Sequence, residues 1–305
     1  AVTAMGITRS EKTLGYSATT VKADEIISSR TTNVADALSG KVAGLSVSST
    51  SSDPGSVSNI VIRGFSSING SNQPLYVVDG VPLQNNMVSG DGKNVSTGGI
   101  SSVASEDIAS MTVLKGAAAT ALYGSRAANG VIVITTKSGK KGDGRNFSIS
   151  YSGNVQARMV SFLPEMQNSF GQGWNGAQTY IENGSWGPRL DGSMQVYGPI
   201  WNNQQLIHEY SAKKDNVKDF FDPGWSQNHT VSLSGVSADT KMDYYLSYSF
   251  TKDDGIMPKD YDTYERNTVA FRGGYEATNW LKVSSSLNFA RSQTDAVGSF
   301  QGTSV

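Results

Sequence analysis

From residue 146 onward, apolar and polar residues alternate with a period of two in five segments. In the first, Phe147, Ile149, Tyr151, Val155, Ala157 and Met159 fall on one face, and Ser148, Ser150, Ser152, Asn154, Gln156 and Arg158 on the other. The third sets Met242, Tyr244, Leu246, Tyr248 and Phe250 against Asp243, Tyr245, Ser247, Ser249 and Thr251. The second (Val231, Leu233), fourth (Val269, Phe271, Tyr275) and fifth (Val283, Leu287, Phe289) repeat the alternation, and Arg272 and Glu276 lie on the polar face of the fourth. Successive strand residues point to opposite sides, so each segment predicts an antiparallel strand with one apolar and one wet face. Before residue 146 short strands mix with short helices. Ile60-Val61-Ile62 reads as a strand, Ala35 to Leu38 and Ala117 to Leu122 as helical turns, and Gly124 as the stop of the second. Asp79-Gly80 between Tyr76-Val77-Val78 and Val81-Pro82-Leu83 predicts a type I′ hairpin, and Val131 to Thr136 a fully buried strand. This half reads as a compact α/β domain.

The connections between the five segments alternate long, short, long, short. Long outer loops and tight inner turns are the connectivity of an outer-membrane β-barrel. The same alternation also describes a soluble sandwich with one wet face. Aromatic residues near segment ends, Tyr275, Phe250 and Trp280, favour the membrane, where such residues form interfacial girdles. Five strands cannot close a barrel of at least about eight, so the expectation is that further strands come from a continuation or a second chain.

Composition changes the picture in one respect. Apolar residues are 37 % and charged residues 17 % of 305, with 33 Gly and 43 Ser, so the chain is polar without being charged. A net charge of -1 provides no bulk basic field, and no nucleic-acid partner is expected. There is no Cys, which excludes disulfides, thiol nucleophiles and Cys-ligated metals. No apolar run approaches the length of a membrane-spanning helix. No signal-peptide pattern opens the sequence, and the expectation is a processed, cytosolic or partial chain.

Specific runs then carry a resemblance. Asn33 to Leu45 (NVADALSGKVAGL), Ile62-Arg63-Gly64 and Pro74 to Pro82 (PLYVVDGVP) come first. Val113-Leu114-Lys115-Gly116-Ala117-Ala118-Ala119 follows, then Leu122-Tyr123-Gly124-Ser125-Arg126-Ala127-Ala128-Asn129-Gly130 and Val131 to Lys137. In order and spacing these resemble the plug of TonB-dependent outer-membrane transporters of the SusC/RagA branch. Asn228 to Gly235 and Tyr244 to Ser247 resemble the family's early barrel strands. The implied fold is an α/β plug domain followed by antiparallel transmembrane strands of a barrel of about 22 strands. The implied plug motif residues are Arg63, Gly64, Asp79, Gly80, Leu114, Lys115, Gly116, Tyr123, Gly124, Arg126, Asn129 and Gly130. One departure is Thr112, where many members carry a Glu able to pair with an Arg; a pairing of that kind with Arg63 is not implied here.

The resemblance implies a division into residues 1–12, next to the TonB box, 13–145, the plug, and 146–305, the first five strands with a long extracellular loop at about 161–227. Ala1, Val2, Thr3, Ala4 and Met5 are the expected TonB-interacting residues, since a short β-prone peptide can add to a partner's sheet edge. It also implies residence in the cell outer membrane, contact with its lipid, energy from TonB with ExbB and ExbD, and a SusD-like lipoprotein lid. The cargo implied is an oligosaccharide or oligopeptide.

No catalytic or metal-ligating constellation stands up and no cofactor is expected. His208 and His229 lie apart, and the acidic run around Asp253, Asp254, Asp260 and Asp262 lacks Ca-loop spacing. Ser39-Gly40-Lys41-Val42 lacks the upstream glycine of a phosphate loop and reads as a helix end. The long loop is rich in aromatics and amides, and Trp174, Trp186 and Trp201 are its candidate ligand or partner contacts. The function this reading predicts is plug-gated import, not an enzyme. Its rival is a soluble or surface-displayed glycan-binding β protein.

Overall fold

The computed structural model describes residues 18–28, 33–49, 53–56, 58–68, 71–83, 99–139, 147–179 and 181–295. The chain divides into two compact units. One is Ala1–Arg158 with Gly224–Gly255 and Lys259–Val305, and the other is Met159–Pro223 with Ile256–Pro258.

In the first unit the N-terminal elements are β1 (Ala18–Lys22), α1 (Ala23–Ser28), β2 (Leu45–Ser49), β3 (Ser58–Ile62), β4 (Leu75–Val78), β5 (Val81–Pro82), β6 (Ile108–Leu114), α2 (Ala117–Tyr123) and β7 (Val131–Thr136). One five-stranded sheet runs β1-β6-β7-β4-β5, parallel only between β4 and β7, and β2 and β3 pair separately. β7 sits beside two neighbours and is covered on both faces. Ile132 and Ile134 join Ile26, Leu38, Tyr76 and Met111 in one cluster, while Val131 and Val133 join Val77, Leu114, Ala119 and Ala127 in another. A strand buried on both sides has no polar face to display, hence its unbroken apolar run. Asp79 and Gly80 carry φ of 48° and 87°, the paired positive values of a type I′ turn joining β4 to β5. The Ala-rich α2 ends at Gly124, whose N–H donates to the Thr120 carbonyl at 2.8 Å.

The remaining elements of this unit are β8 (Phe147–Arg158), β11 (Gly224–Val236), β12 (Met242–Asp254), β13 (Thr263–Thr278) and β14 (Leu281–Asp295). They form a wholly antiparallel sheet in the order β14-β13-β12-β11-β8, and it does not close among the described residues. Along β11, β12 and β13 burial is the reverse of a water-soluble sheet, while on β14 both faces are largely exposed. Thr230, Ser247, Ser249, Thr251, Thr268 and Arg272 are buried, while Ile149, Tyr151, Val231, Leu246, Tyr248, Phe271, Leu287 and Phe289 are exposed. A soluble sandwich would bury the apolar face instead. Cross-strand hydroxyls knit the covered face, with Thr230 Oγ1 2.8 Å from Ser249 Oγ and Asn228 Nδ2 donating to Thr251 Oγ1 at 2.9 Å.

The second unit contains a hairpin, β9 (Met194–Trp201) and β10 (Gln204–Glu209), inside the segment expected to be loop. Gly198 and Pro199 mask it in the sequence, since both residues argue against a strand interior. The available signal was Asn202-Asn203, which turns with φ of 51° and 57°.

Candidate functional site

The N-terminal sheet meets the C-terminal sheet along a polar seam. At the tip of the β4–β5 turn, Asp79 Oδ1 accepts the Thr136 N–H at 2.9 Å and Oδ2 accepts the Thr136 hydroxyl. The same carboxylate faces Arg272 Nε of β13 at 3.6 Å. Arg272 also lies over the Tyr245 ring, its Cζ 5.7 Å from the centroid, and the two residues are direct partners in the β12–β13 register. Tyr245 then donates its hydroxyl to Asp107 Oδ1 at 2.8 Å. Asp107 is itself buried, in the 3-10 turn Ser105–Asp107 that precedes β6. Asn288 Nδ2 donates to the Ser102 carbonyl at 3.2 Å.

Shape reinforces charge at a second point. Gly55 has φ of 72°, and a Cβ there would lie 2.3 Å from the ring of Tyr264 on β13. Only glycine fits both the backbone and the close approach. The seam therefore consists of a few hydrogen bonds, one cation facing one carboxylate, and one tight steric fit. Such contacts are individually modest and separable, unlike the dry clusters inside the N-terminal sheet.

The motif residues have mostly local tasks. Arg63 is exposed with φ of 61°, its N–H donates to the Gly44 carbonyl at 2.7 Å, and a Cβ on Gly116 would come 3.1 Å from Arg63 Nη1. Gly64 and Gly116 have φ of 92° and 74°. Leu114 is fully buried, and Lys115 Nζ donates to the Ala43 carbonyl at 2.8 Å. Tyr123 packs on the second cluster, and Arg126 is exposed. Asn129 Nδ2 donates to the Ser71 carbonyl at 2.6 Å and its Oδ1 accepts from Ser66 at 2.7 Å. The Gly130 carbonyl accepts the Leu75 N–H at 3.0 Å. At Thr112 the position is filled by a hydroxyl pair, Thr112 Oγ1 lying 3.0 Å from Thr20 Oγ1 across the β1–β6 register. Burial, with the nearby Asp36 charge second, raises the Tyr76 phenol well above its ordinary pKa. Ala1, Val2, Thr3, Ala4 and Met5 lie outside the described residues.

Sequence reasoning missed the seam residues Asp107, Thr136, Tyr245 and Arg272 as a group. A faint signal existed, because an aromatic and a cation stood on the wet faces of adjacent segments. In the second unit a cavity of about 920 Å³ is lined by Glu165, Gln172, Gln195, His208, Tyr210 and Lys213 among others. Trp174, Trp186 and Trp201 do not line it; they are exposed elsewhere in that unit. Burial raises the pKa of Tyr210.

Residues 10–131 match the family model described as TonB-dependent Receptor Plug Domain. A plug joined to antiparallel barrel strands defines a TonB-dependent receptor. The chain is 38 % identical over 237 residues to the TonB-dependent receptor SusC of Bacteroides thetaiotaomicron, covering 78 % of this chain and 21 % of that protein. It is 31 % identical over 283 residues to the TonB-dependent receptor P3 of Formosa agariphila, covering 92 % of this chain and 24 % of that one. Its fold matches the structure of the RagAB peptide importer in the open-open state with a TM-score of 0.71 and 24 % identity, over 96 % of this chain and 32 % of that one. The chain belongs to the SusC/RagA type of TonB-dependent receptors. It spans 21 % and 24 % of the length of these two curated relatives.

Proposed function

We propose that this chain forms the plug and first wall strands of an outer-membrane active importer. The supporting observation is the inverted burial of β11, β12 and β13, with apolar residues exposed and polar residues covered. Lipid outside and a polar filling inside are the two environments that favour that arrangement. In this reading the plug, residues 13–145, blocks the lumen at rest, and residues 146–305 begin the barrel. Residues 1–12, with Ala1 to Met5, engage TonB, which with ExbB and ExbD delivers the work that loosens the plug. The polar seam suits that task, because hydroxyls and a single ion pair separate at lower cost than a dry core.

The cargo proposed is an oligosaccharide or oligopeptide, handed over by a SusD-like lipoprotein at the outer face. Relatives named for a Sus system and for peptide import support that class. No bond in the cargo is broken, so the protein acts as a transporter and not as an enzyme. Two measurements test the proposal. The receptor should appear in the outer-membrane fraction and leave it only with detergent; recovery as detergent-free soluble monomer would contradict it. Mass spectrometry of co-purified small molecules should return glycans or peptides, and uptake of that cargo should stop when TonB is removed.

A further inference from the structure

The cavity of about 920 Å³ in the second unit is lined by a single stretch of chain, residues 160–218. Hydrogen bonds and close packing fix its lining. Gln195 and His208 are direct partners in the β9–β10 register, so both stand on one face of that hairpin and form one side of the cavity. The pairing runs on past the hairpin, where the Tyr210 N–H donates to the Ser193 carbonyl at 2.8 Å and the Gly192 N–H to the Tyr210 carbonyl at 3.0 Å. A Cβ on Gly171 would overlap the Tyr210 hydroxyl and lie 3.2 Å from Leu190, so glycine lets the phenol end of the tyrosine lie against the backbone there. Gln167 braces another part of the lining. Its Oε1 accepts the Ser169 and Phe170 N–H groups at 2.8 and 2.9 Å, and its Nε2 donates to the Phe170 carbonyl at 2.7 Å.

The chemistry of the lining selects among ligands. Three acids, Glu165, Glu209 and Asp215, and three lysines, Lys213, Lys214 and Lys218, line the cavity, and among the described residues no ion pair joins any of the six. Half-buried Leu163, Leu190 and Val217 supply apolar surface. His208 Nδ1 donates to the Glu209 carbonyl at 2.7 Å, which leaves Nε2 of the neutral ring as an acceptor for an N–H. Among the described residues no indole lines the cavity and Tyr210 is its one phenol, so broad aromatic faces on which sugar rings stack are missing from it. We propose that this cavity binds a short oligopeptide and holds it by its charged amino and carboxyl ends. The proposal rests on the importer reading above and takes the peptide arm of its two cargo classes. Charges of both signs complement a zwitterion, whereas a neutral oligosaccharide has no charge to meet either. The volume falls in the upper part of the range of about 300–1,000 Å³ for ligand pockets, room for a few residues.

Equilibrium dialysis of the full receptor, purified in detergent, tests this with three probes: a mixed pool of synthetic pentapeptides with free ends, the same pool amidated at the carboxyl end, and a pool of neutral linear pentasaccharides. The free peptides should bind, and amidation should weaken their binding about tenfold. Lys213→Gln combined with Lys214→Gln should weaken the free pool by a similar factor and change the amidated pool little, because the same contact is then already absent. Both lysines are exposed, so the double variant keeps the fold. Equal binding of free and amidated peptides, or equal binding of the free pool by the variant and the parent receptor, would overturn the site. Saccharide binding without peptide binding would overturn it too and leave the importer reading intact. Peptide uptake that continues without TonB would contradict the importer reading, while the dialysis result on the site stands.

Discussion

The plug sheet and the wall sheet are built from similar residues and bury them oppositely. In β7 the side chains of Ile132 and Ile134 disappear into one cluster and those of Val131 and Val133 into another. In β12 the side chains that disappear are Tyr245, Ser247, Ser249 and Thr251, while Leu246 and Tyr248 remain on the surface. A period of two fixes which residues share a face; the medium on each side decides which face is inside. Lipid accepts apolar side chains as readily as a core does, so the wall needs no second apolar layer.

The largest effect that would break this contrast is a cavity in the plug. Ile132→Ala, at a site with no exposure, should destabilise the plug by about 2–5 kcal/mol, read by denaturant unfolding. On the wall the sensitive change is charge: Leu246→Arg should cost about 2–4 kcal/mol of barrel stability and lower the amount of heat-modifiable receptor in the outer membrane. If Leu246→Arg were tolerated like an ordinary surface change, the contrast would fail.

The seam sharpens the comparison at smaller scale. Tyr245→Phe removes the hydroxyl donor to buried Asp107 and should weaken plug retention by about 1–3 kcal/mol, seen as greater passive entry of a bulky antibiotic. Arg272→Met should act in the same direction by on the order of 1 kcal/mol, because Asp79 is a third exposed and keeps its two bonds from Thr136. The two changes should not add, since both side chains belong to one network. The smallest effect lies in the β11–β12 turn. Hydrogen bonds, chiefly from the Ser237 hydroxyl and then the Lys241 N–H, lower the Asp239 pKa. A lowered folded-state pKa means stability present above the unfolded value and lost as pH falls through the folded one. Carboxyl NMR should therefore show Asp239 titrating below an ordinary aspartate, and Ser237→Ala should move it upward.

The sequence made the wall strands legible because apolar residues recur at every second position along much of each, and it made the β4–β5 turn legible because Asp79-Gly80 suits positive φ at both positions. It did not reveal the seam, since the meeting of Asp79, Arg272, Tyr245 and Asp107 depends on register and docking across residues far apart in the chain. Gly55 was equally silent, its meaning resting on a ring contributed by Tyr264. The β9–β10 hairpin was hidden by Gly198 and Pro199, which break the alternation that would announce a strand. The three tryptophans stand out by chemistry alone, and the cavity described in that unit is lined instead by Tyr210, amides, charged groups and aliphatic side chains such as Leu163 and Leu190.

The most direct measurement of the central claim uses nitroxide labels at successive positions of β12 in the receptor reconstituted in lipid. Leu246 and Tyr248 should be accessible to oxygen and shielded from a water-soluble nickel chelate, while Ser247 and Ser249 should be shielded from both. Nickel access at Leu246 and Tyr248, with oxygen showing no preference between the two sets, would contradict the account.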